Sequence, residues 1–246
     1  MIHRFSRTEL LLGAENMQKL KQSKIAIFGI GGVGSYVAEG LARCGVGNFV
    51  LIDSDDISLT NLNRQIHALE QTIGQKKTTV MKERILSINP TAQIITIEKL
   101  YTPEATFFDW QDKYTYIVDA VDDVKAKISL AVNADKYNLP IISSMGTANK
   151  LDPQKFVITD IYKTHTCPLA RILRKALKQQ GVQHLKVLYS TEQPFTNYTV
   201  NFTETATKEN NPASTRKQPL GSVAFVPPIA GLMIAGEIIK DICNLH

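Results

Sequence analysis

The feature that most constrains this chain is a glycine-rich turn between a short apolar run and a helical pattern. Residues 29–35 read GIGGVGS, directly after the apolar run Lys24–Phe28 and at the start of a helical pattern over Ser35–Arg43. A strand that enters a helix through such a turn needs residues without a β-carbon, because the backbone turns tightly and can approach a phosphate at the helix N-terminus. The turn therefore predicts a nucleotide-binding βα unit, with packing of the turn alone as the structural alternative. The glycines concerned are Gly29, Gly31, Gly32 and Gly34.

Strand and helix patterns alternate through the first half of the chain and become less regular in the second. Short apolar runs predict strands at Lys24–Phe28, Asn48–Asp53, Gln93–Glu98, Tyr114–Ala120, Pro140–Ser144, Lys155–Asp160 and Leu185–Thr191. Amphipathic patterns and end signals predict helices at Ser35–Arg43, Lys77–Ile88, a short one from Thr102, one that runs to Tyr137, Pro168–Gln180 and Ala230–Ile242. Because strands separated by helices favour parallel pairing, we expect an α/β, Rossmann-like, doubly wound and mostly parallel sheet with a mixed C-terminal extension.

Length and composition are those of one globular domain. The 246 residues are 43% hydrophobic and 21% charged, which excludes a disordered chain. We expect a single domain over residues 1–246, with a nucleotide-binding core at about 22–150 and a substrate-facing C-terminal part at about 151–246. The polar stretch 192–219 is long for a loop and is expected to be either disordered or functional. The formal net charge of +5 permits a polyanionic partner without requiring one.

The cysteine content and the hydropathy of the sequence indicate the cellular compartment in which the protein works. The three cysteines are isolated, which argues against a disulfide framework, and the absence of any CxxC pair predicts that there is no tetrahedral zinc site. The opening MIHRFSRTEL has no apolar core of the signal-peptide kind, and the late apolar stretch Val223–Ile234 contains two prolines and is too short to cross a bilayer. We therefore expect a cytoplasmic protein without stable membrane insertion.

Charged and amide side chains follow the predicted strands in chain order. Parallel strands end at one edge of a sheet, so these side chains are expected to meet there. Asp53 ends the second strand, where a carboxylate holds ribose hydroxyls in dinucleotide-type sites. The arginine and lysine beyond it suit a triphosphate better than NAD, and nearby carboxylates can hold Mg²⁺. Besides the glycines, the candidate binding set is Asp53, Asp55, Asn61, Arg64, Lys77 and Asp122.

The order of motifs carries a family resemblance over nearly the whole chain. The runs GIGGVGS, LIDSDD, NLNRQ, IGQKK and VDAVDD resemble the superfamily of ThiF, MoeB and the ubiquitin-activating enzymes, whose members use ATP to adenylate a carboxylate. The resemblance implies a ribose contact for Asp53 and a magnesium or nucleotide contact for Asp122. It also implies that Arg7 reaches the γ-phosphate of the neighbouring subunit's ATP in a homodimer. The implied phosphate ligands are Asn61, Arg64 and Lys77, and the implied catalytic set is Arg7, Arg64, Lys77 and Asp122.

Within that superfamily the chain most resembles the branch of tRNA threonylcarbamoyladenosine dehydratases, called TcdA or CsdL. The resemblance lies in NRQIHAL, in the opening RF and in the tail LGSVAFVPPIAGLMIAGEII. It implies that the threonyl carboxylate of the modified adenosine attacks the α-phosphate of ATP, and that the acyl-adenylate then closes into a ring. Some members carry a cysteine just before the tail, where this chain has none, so a role for such a cysteine is not expected. The resemblance leaves open a partner protein from a sulfur or cysteine-desulfurase system.

An acid-free segment supports a polyanionic substrate such as tRNA. Residues 161–191 contain no aspartate or glutamate, and a helical pattern there places several basic residues on one face. Such a stripe suits phosphate contacts, although an ordinary solvated face has the same pattern. Cys167, close to His165, is a less favoured candidate for an acyl-accepting thiol. The basic residues are Arg171, Arg174, Lys175 and Lys178.

Three other functions fit parts of this pattern. An adenylyltransferase for the C-terminus of a ubiquitin-like or sulfur-carrier protein would share the nucleotide site, but the missing zinc motif counts against it. An NAD-dependent oxidoreductase would share the glycine turn, but no hydride-transfer pair or separate substrate domain is evident. A non-catalytic nucleotide-binding module is the third alternative.

Overall fold

The computed structural model describes residues 2–195 and 220–245, which form one sheet with helices on both faces. The strands are β1 (Lys24–Phe28), β2 (Asn48–Ile52), β3 (Gln93–Ile97), β4 (Tyr116–Asp119), β5 (Ile141–Ser144), β6 (Phe156–Asp160) and β7 (Lys186–Ser190). The helices are α1 (Ser6–Leu12), α2 (Ala14–Gln22), α3 (Gly34–Arg43), α4 (Lys77–Ile88), α5 (Val124–Lys136), α6 (Pro168–Gln179) and α7 (Val226–Cys243). Every predicted strand is present within two residues of its expected bounds.

The sheet has the order β3-β2-β1-β4-β5-β7-β6, and its strands are parallel except for the antiparallel pair β6–β7. The doubly wound, mostly parallel sheet with a mixed C-terminal extension is therefore confirmed. The chain winds from β1 outward to β3 on one side, and from β4 outward on the other. The order thus reverses between β1 and β4, which is where α/β sheets bind ligands at the carboxyl ends of their strands.

Helix α7 packs closely on α3 because glycines lie at the contact. A β-carbon on Gly231 would lie 2.5 Å from the carbonyl oxygen of Val33, and one on Gly40 would lie 2.8 Å from Cβ of Ala235. Helix α7 begins before the predicted Ala230, because its two prolines occupy the first helical positions, where a missing N–H costs nothing. In the described part of the chain, no helix combines the length and the apolar character that a bilayer crossing needs.

Two local expectations differ from the structure. No helix forms after Thr102, because the residues around it fold as turns that bury aromatic rings against β1. The rings of Tyr101 and Phe108 meet Phe28 edge to face, with centroids 5.0 and 4.8 Å away. Conversely, α1 and α2 were not predicted, since α1 contains no buried residue and α2 buries only Leu20. Neither helix therefore shows the apolar stripe on which sequence patterns depend.

Candidate nucleotide-binding site

The glycine turn between β1 and α3 packs against the connection that follows β4. Gly29 has a φ of +86°, and a β-carbon there would lie 2.6 Å from the carbonyl oxygen of Ala120. A β-carbon on Gly34 would lie 1.8 Å from the carbonyl oxygen of Gly29. Packing alone therefore requires glycine at these two positions.

Gly31 differs, because packing does not require it to be glycine. The nearest atom to a β-carbon at Gly31 would be Nε2 of Gln65, 4.0 Å away. At Gly32 the nearest atoms would be Cβ of Pro227 at 3.0 Å and Cγ of Arg64 at 3.4 Å. The turn is thus open at Gly31 and bordered at Gly32 by the stem of an arginine. Open backbone at the start of a helix is the arrangement in which N–H groups receive phosphates.

Asp53 directly follows β2 and is tied to the same turn. Its Oδ2 accepts a hydrogen bond from the backbone N–H of Ile30 at 2.6 Å, and its Oδ1 accepts one from the N–H of Asp55 at 2.9 Å. The carboxylate is half-buried, and each oxygen retains a further acceptor site. It is therefore held in place at the switch point with capacity to accept hydroxyl donors.

Asn61 and Arg64 lie in the loop that follows. Asn61 ends a short 3-10 turn, is 9% exposed, and accepts a hydrogen bond from the N–H of Ser58. Nη1 of Arg64 donates to the carbonyl of Thr60 and to Oδ1 of Asn63, each at 2.8 Å. Because its stem borders Gly32, the guanidinium is anchored beside the open part of the turn.

Lys77 is the first residue of α4 and is almost completely buried. Its side chain is 8% exposed, and Nζ lies 2.7 Å from Oδ2 of Asp55, whose side chain is 64% exposed. The preceding Lys76 pairs in the same way with Asp56 at 2.7 Å. Two neighbouring lysines thus have acidic partners in the loop after β2, but only Lys77 is buried.

Asp122 and Asp123 lie together in the connection between β4 and α5 and have different roles in the fold. Asp123 caps α5, since its carboxylate accepts a hydrogen bond from the N–H of Ala126 at 2.8 Å. Asp122 is exposed, and its carboxylate makes no hydrogen bond or ion pair with any residue that the structure describes. It is therefore available to an external ligand.

A buried ion pair that sequence reasoning missed holds this connection in place. Nζ of Lys127 lies 3.1 Å from both carboxylate oxygens of Asp119, and each side chain is 1% exposed. The ammonium also donates to the carbonyl of Ser144 at 2.7 Å, so it joins α5 to the carboxyl ends of β4 and β5. A lysine in register with the buried Leu130, Ala131 and Ala134 was the signal that could have revealed it.

His67 is a second residue that sequence reasoning left out. The residue is 1% exposed, and neither ring nitrogen has a hydrogen-bond partner among the described residues. Burial, together with the positive charges of Lys77 and Arg84, lowers the pKa of His67 to about 4. The imidazole is therefore neutral at physiological pH, next to the buried lysine of the candidate site.

Arg7 lies in α1 and is exposed. Its guanidinium makes no hydrogen bond or ion pair within the described part of its own chain. The structure of one chain thus leaves this arginine available for an intermolecular contact.

The basic helix α6 has an anchored residue among exposed ones. Arg171, Lys175 and Lys178 are exposed, whereas Arg174 is half-buried and donates to both the carbonyl and the hydroxyl of Thr164. Arg174 therefore ties α6 to the preceding turn and is not equivalent to the other three.

Cys167 caps α6 with its sulfur, which accepts from the N–H of Ala170 at 3.5 Å. Nδ1 of His165 pairs with the hydroxyl of Thr166 at 2.9 Å, and its ring packs edge to face on Tyr189. The histidine is thus engaged with groups other than the thiol. Among the residues that the structure describes, no group of three or more histidine, cysteine, aspartate or glutamate side chains could hold a metal ion.

Known proteins resemble this chain in sequence and in structure. The sequence model of the ThiF family matches residues 5–246. The tRNA threonylcarbamoyladenosine dehydratase of Bacillus subtilis is 45% identical over 249 residues, which cover 98% of this chain and 95% of that protein. The protein of the same name from Escherichia coli is 40% identical over 71% of this chain and 65% of its own length.

A solved structure resembles the chain over nearly its whole length. The crystal structure of E. coli tRNA N6-threonylcarbamoyladenosine dehydratase, TcdA, in complex with ATP matches with a TM-score of 0.84 at 32% identity. The match covers 98% of this chain and 94% of that one.

Proposed function

Because this chain belongs to the ThiF family, we propose that it is an ATP-dependent tRNA threonylcarbamoyladenosine dehydratase. The observation that carries the proposal is the edge of the sheet at the β1–β4 switch point. Gly31 is open there, the stem of Arg64 borders Gly32, and the ammonium of the buried Lys77 pairs with an exposed carboxylate. Relatives with this activity in their name span nearly the whole chain, which favours this function over activation of a carrier protein.

Each candidate residue other than Asp55 has a direct ligand contact in this proposal that its surroundings support. Asp53 holds the ribose, since its carboxylate is fixed by two N–H groups and keeps acceptor capacity for hydroxyls. Asn61, Arg64 and Lys77 bind the phosphates over the glycine turn. Asp122 is the candidate ligand for Mg²⁺, which prefers oxygen ligands, and its exposed carboxylate without a described protein partner fits that ion. Bound Mg²⁺ would neutralise phosphate charge.

The chemistry needs no nucleophile from the protein. The threonyl carboxylate of the modified adenosine attacks the α-phosphate, and pyrophosphate leaves. Arg64 and Lys77 stabilise the negative charge that develops on the phosphate oxygens. The acyl-adenylate then closes on its own carbamoyl group and releases AMP, a step that is fast because both reacting groups belong to one molecule.

The tRNA is proposed to lie along the C-terminal part of the single domain, over residues 151–246. The exposed basic residues of α6 would contact its phosphates, with Arg174 in a supporting position. Of the stretch 192–219, which was expected to be disordered or functional, residues 196–219 lie outside the described residues. A tRNA substrate is consistent with the expected cytoplasmic location. A partner from a cysteine-desulfurase system is supported by the family resemblance alone.

The proposed homodimer depends on Arg7, which would complete the ATP site of the neighbouring subunit. Its exposure and its lack of a described partner within one chain support this role. An Arg7→Ala chain mixed with an Asp122→Ala chain should form dimers with one intact site and recover part of the activity. No recovery despite demonstrated subunit exchange would contradict action across the interface.

The direct test is mass spectrometry of tRNA nucleosides. Incubation of threonylcarbamoyladenosine-containing tRNA with the protein and ATP should convert that nucleoside to a product lighter by one water, with release of pyrophosphate and AMP. Omission of ATP should prevent the conversion. An unchanged nucleoside under conditions where ATP is bound would contradict the proposed substrate, and pyrophosphate release that requires a carrier protein would favour the alternative.

A further inference from the structure

A single asparagine beside the candidate phosphate-binding arginine has both ends of its side-chain amide engaged. Oδ1 of Asn63 accepts a hydrogen bond from Nη1 of Arg64 at 2.8 Å. Nδ2 of the same amide donates to the carbonyl oxygen of Ser222 at 3.0 Å, across 159 positions of sequence. Asn63 therefore joins the arginine to a segment from the far end of the chain.

That segment, residues 220–225, is itself fixed on its other side. Asn149 donates its backbone N–H to the carbonyl of Gly221 at 2.8 Å, and its Oδ1 accepts the N–H of Gly221 at 2.7 Å. The segment then leads into α7, where Pro227 lies against Gly32 of the glycine turn. The chain 220–225 thus runs between the nucleotide side and the loop after β5, with a hydrogen-bonded residue on each side.

We infer that Asn63 is a positioning residue for Arg64, and that the segment 220–225 sets the direction in which Asn63 holds the guanidinium. The inference rests on the proposed function, in which Arg64 binds phosphate. An arginine has several rotatable bonds, and fixing them on binding costs entropy that a preformed hydrogen bond has already removed. Asn63 can do this only while its own amide is held, because an exposed asparagine without the Ser222 bond would rotate freely.

The test measures nucleotide affinity by calorimetry, with ATP and adenosine as probes. Asn63→Ala removes both hydrogen bonds of the amide and should weaken ATP binding about five- to tenfold, the size of effect expected for the net contribution of one typical hydrogen bond. Adenosine affinity should remain unchanged, because it does not depend on the phosphates. In an Arg64→Ala background the same change should have no further effect on ATP affinity.

A second variant acts on the segment without touching Arg64. Asn149 has a φ of +56°, so Asn149→Gly keeps that backbone conformation and removes only the side-chain bond to Gly221. It should weaken ATP binding in the same direction as Asn63→Ala, by a smaller factor, and should have no effect once Asn63 is alanine. Asn138→Gly is the matched control, since Asn138 has a φ of +52° and precedes β5 at the opposite edge of the sheet.

The outcomes separate the inference from the proposed function. Wild-type ATP affinity in Asn63→Ala or in Asn149→Gly overturns the inference, as does an Asn63→Ala effect of equal size with and without Arg64. Wild-type protein that does not bind ATP overturns the proposed function itself, whereas an Arg64→Ala variant that binds ATP normally removes the phosphate role of Arg64 and overturns the inference alone. Melting temperatures of the variants show whether a loss of affinity comes from unfolding.

Discussion

The ammonium of Lys77 lies 2.7 Å from the carboxylate of Asp55, yet the two side chains differ greatly in exposure, at 8% and 64%. The lysine is held by its position in the first turn of α4, whereas the carboxylate lies in an open loop. In the proposed function, a phosphate group would replace Asp55 as the partner of the ammonium without movement of the lysine. The carboxylate of Asp55 would then pair with the buried ammonium of Lys77 only when no nucleotide is bound.

Lys77→Met should lower turnover by about a hundredfold or more, because it removes a charge from the transition state while its side chain keeps the packing of the stem. Stability should change little, since the partner left behind is an exposed carboxylate. Lys76→Met is the control, because Lys76 has an equivalent ion pair with Asp56 but is half-exposed. Steady-state kinetics of both variants provide the check, and equal losses would contradict the role of Lys77.

Substitutions of the neighbouring Asp122 and Asp123 should have different effects, one on activity and the other on stability. Asp122→Ala should lower turnover strongly with an unchanged melting temperature, because the carboxylate has no described partner in the fold. Asp123→Ala should instead cost about 1 kcal/mol of stability through loss of the cap of α5, with little effect on turnover. Thermal unfolding and a pyrophosphate-release assay measure the two effects, and the reverse pattern would be inconsistent with the site.

The exposed basic face of α6 should contribute to the salt dependence of tRNA binding. Arg171→Ala with Lys175→Ala removes two candidate phosphate contacts and leaves the anchoring Arg174 in place. The slope of log affinity against log salt should become shallower by about one unit for each lost contact, while ATP affinity stays the same. Lys113→Ala with Lys136→Ala removes equal charge at exposed lysines outside α6 and should leave the slope unchanged. If both pairs behave alike, α6 is an ordinary solvated face.

His67 should make the folded state sensitive to acid. Its pKa is about 4 in the folded protein and about 6.5 when unperturbed, so the unfolded chain takes up the proton first as the pH falls. This contribution to stability is complete above about pH 6.5 and is lost progressively towards pH 4, by up to about 3 kcal/mol.

His67→Gln should flatten that part of the pH profile in urea unfolding. His184→Gln, at a side chain that is 89% exposed, should leave the profile as in the wild type. An unaltered profile in His67→Gln would show that another group controls the acid sensitivity.

Removal of one partner from the buried ion pair of Asp119 and Lys127 should greatly lower the free energy of unfolding. Lys127→Met leaves an uncompensated carboxylate at a position that is 1% exposed and should destabilise the fold by about 3–5 kcal/mol. Adding Asp119→Asn removes the unpaired charge and should recover part of the loss. Free energies of unfolding of the single and double variants test the pair, and additive losses would mean that the two groups do not interact.

The sequence by itself determined the parts of this protein that depend on local patterns. Short apolar runs and glycine or proline end signals predicted the strands, because the length and the apolar character of a run are properties of a few neighbouring residues. The alternation with helices predicted parallel pairing. It followed that residues after successive strands, such as Asp53 and Asp122, belong to one edge of the sheet. Motif order then predicted the family.

Only the tertiary structure decided which distant groups meet. No local pattern in the sequence indicates the hydrogen bond of Asn63 with Ser222, because the two residues are 159 positions apart. The turn region after Thr102 has a local helix-start signal. Burial of aromatic rings against Phe28, however, stabilises the fold by more free energy than one short helix would contribute. The distinction between an anchored Arg174 and its exposed neighbours likewise depends on where Thr164 lies in space. Local propensity is set by adjacent residues, whereas burial and charge pairing are set by the packing of the whole chain.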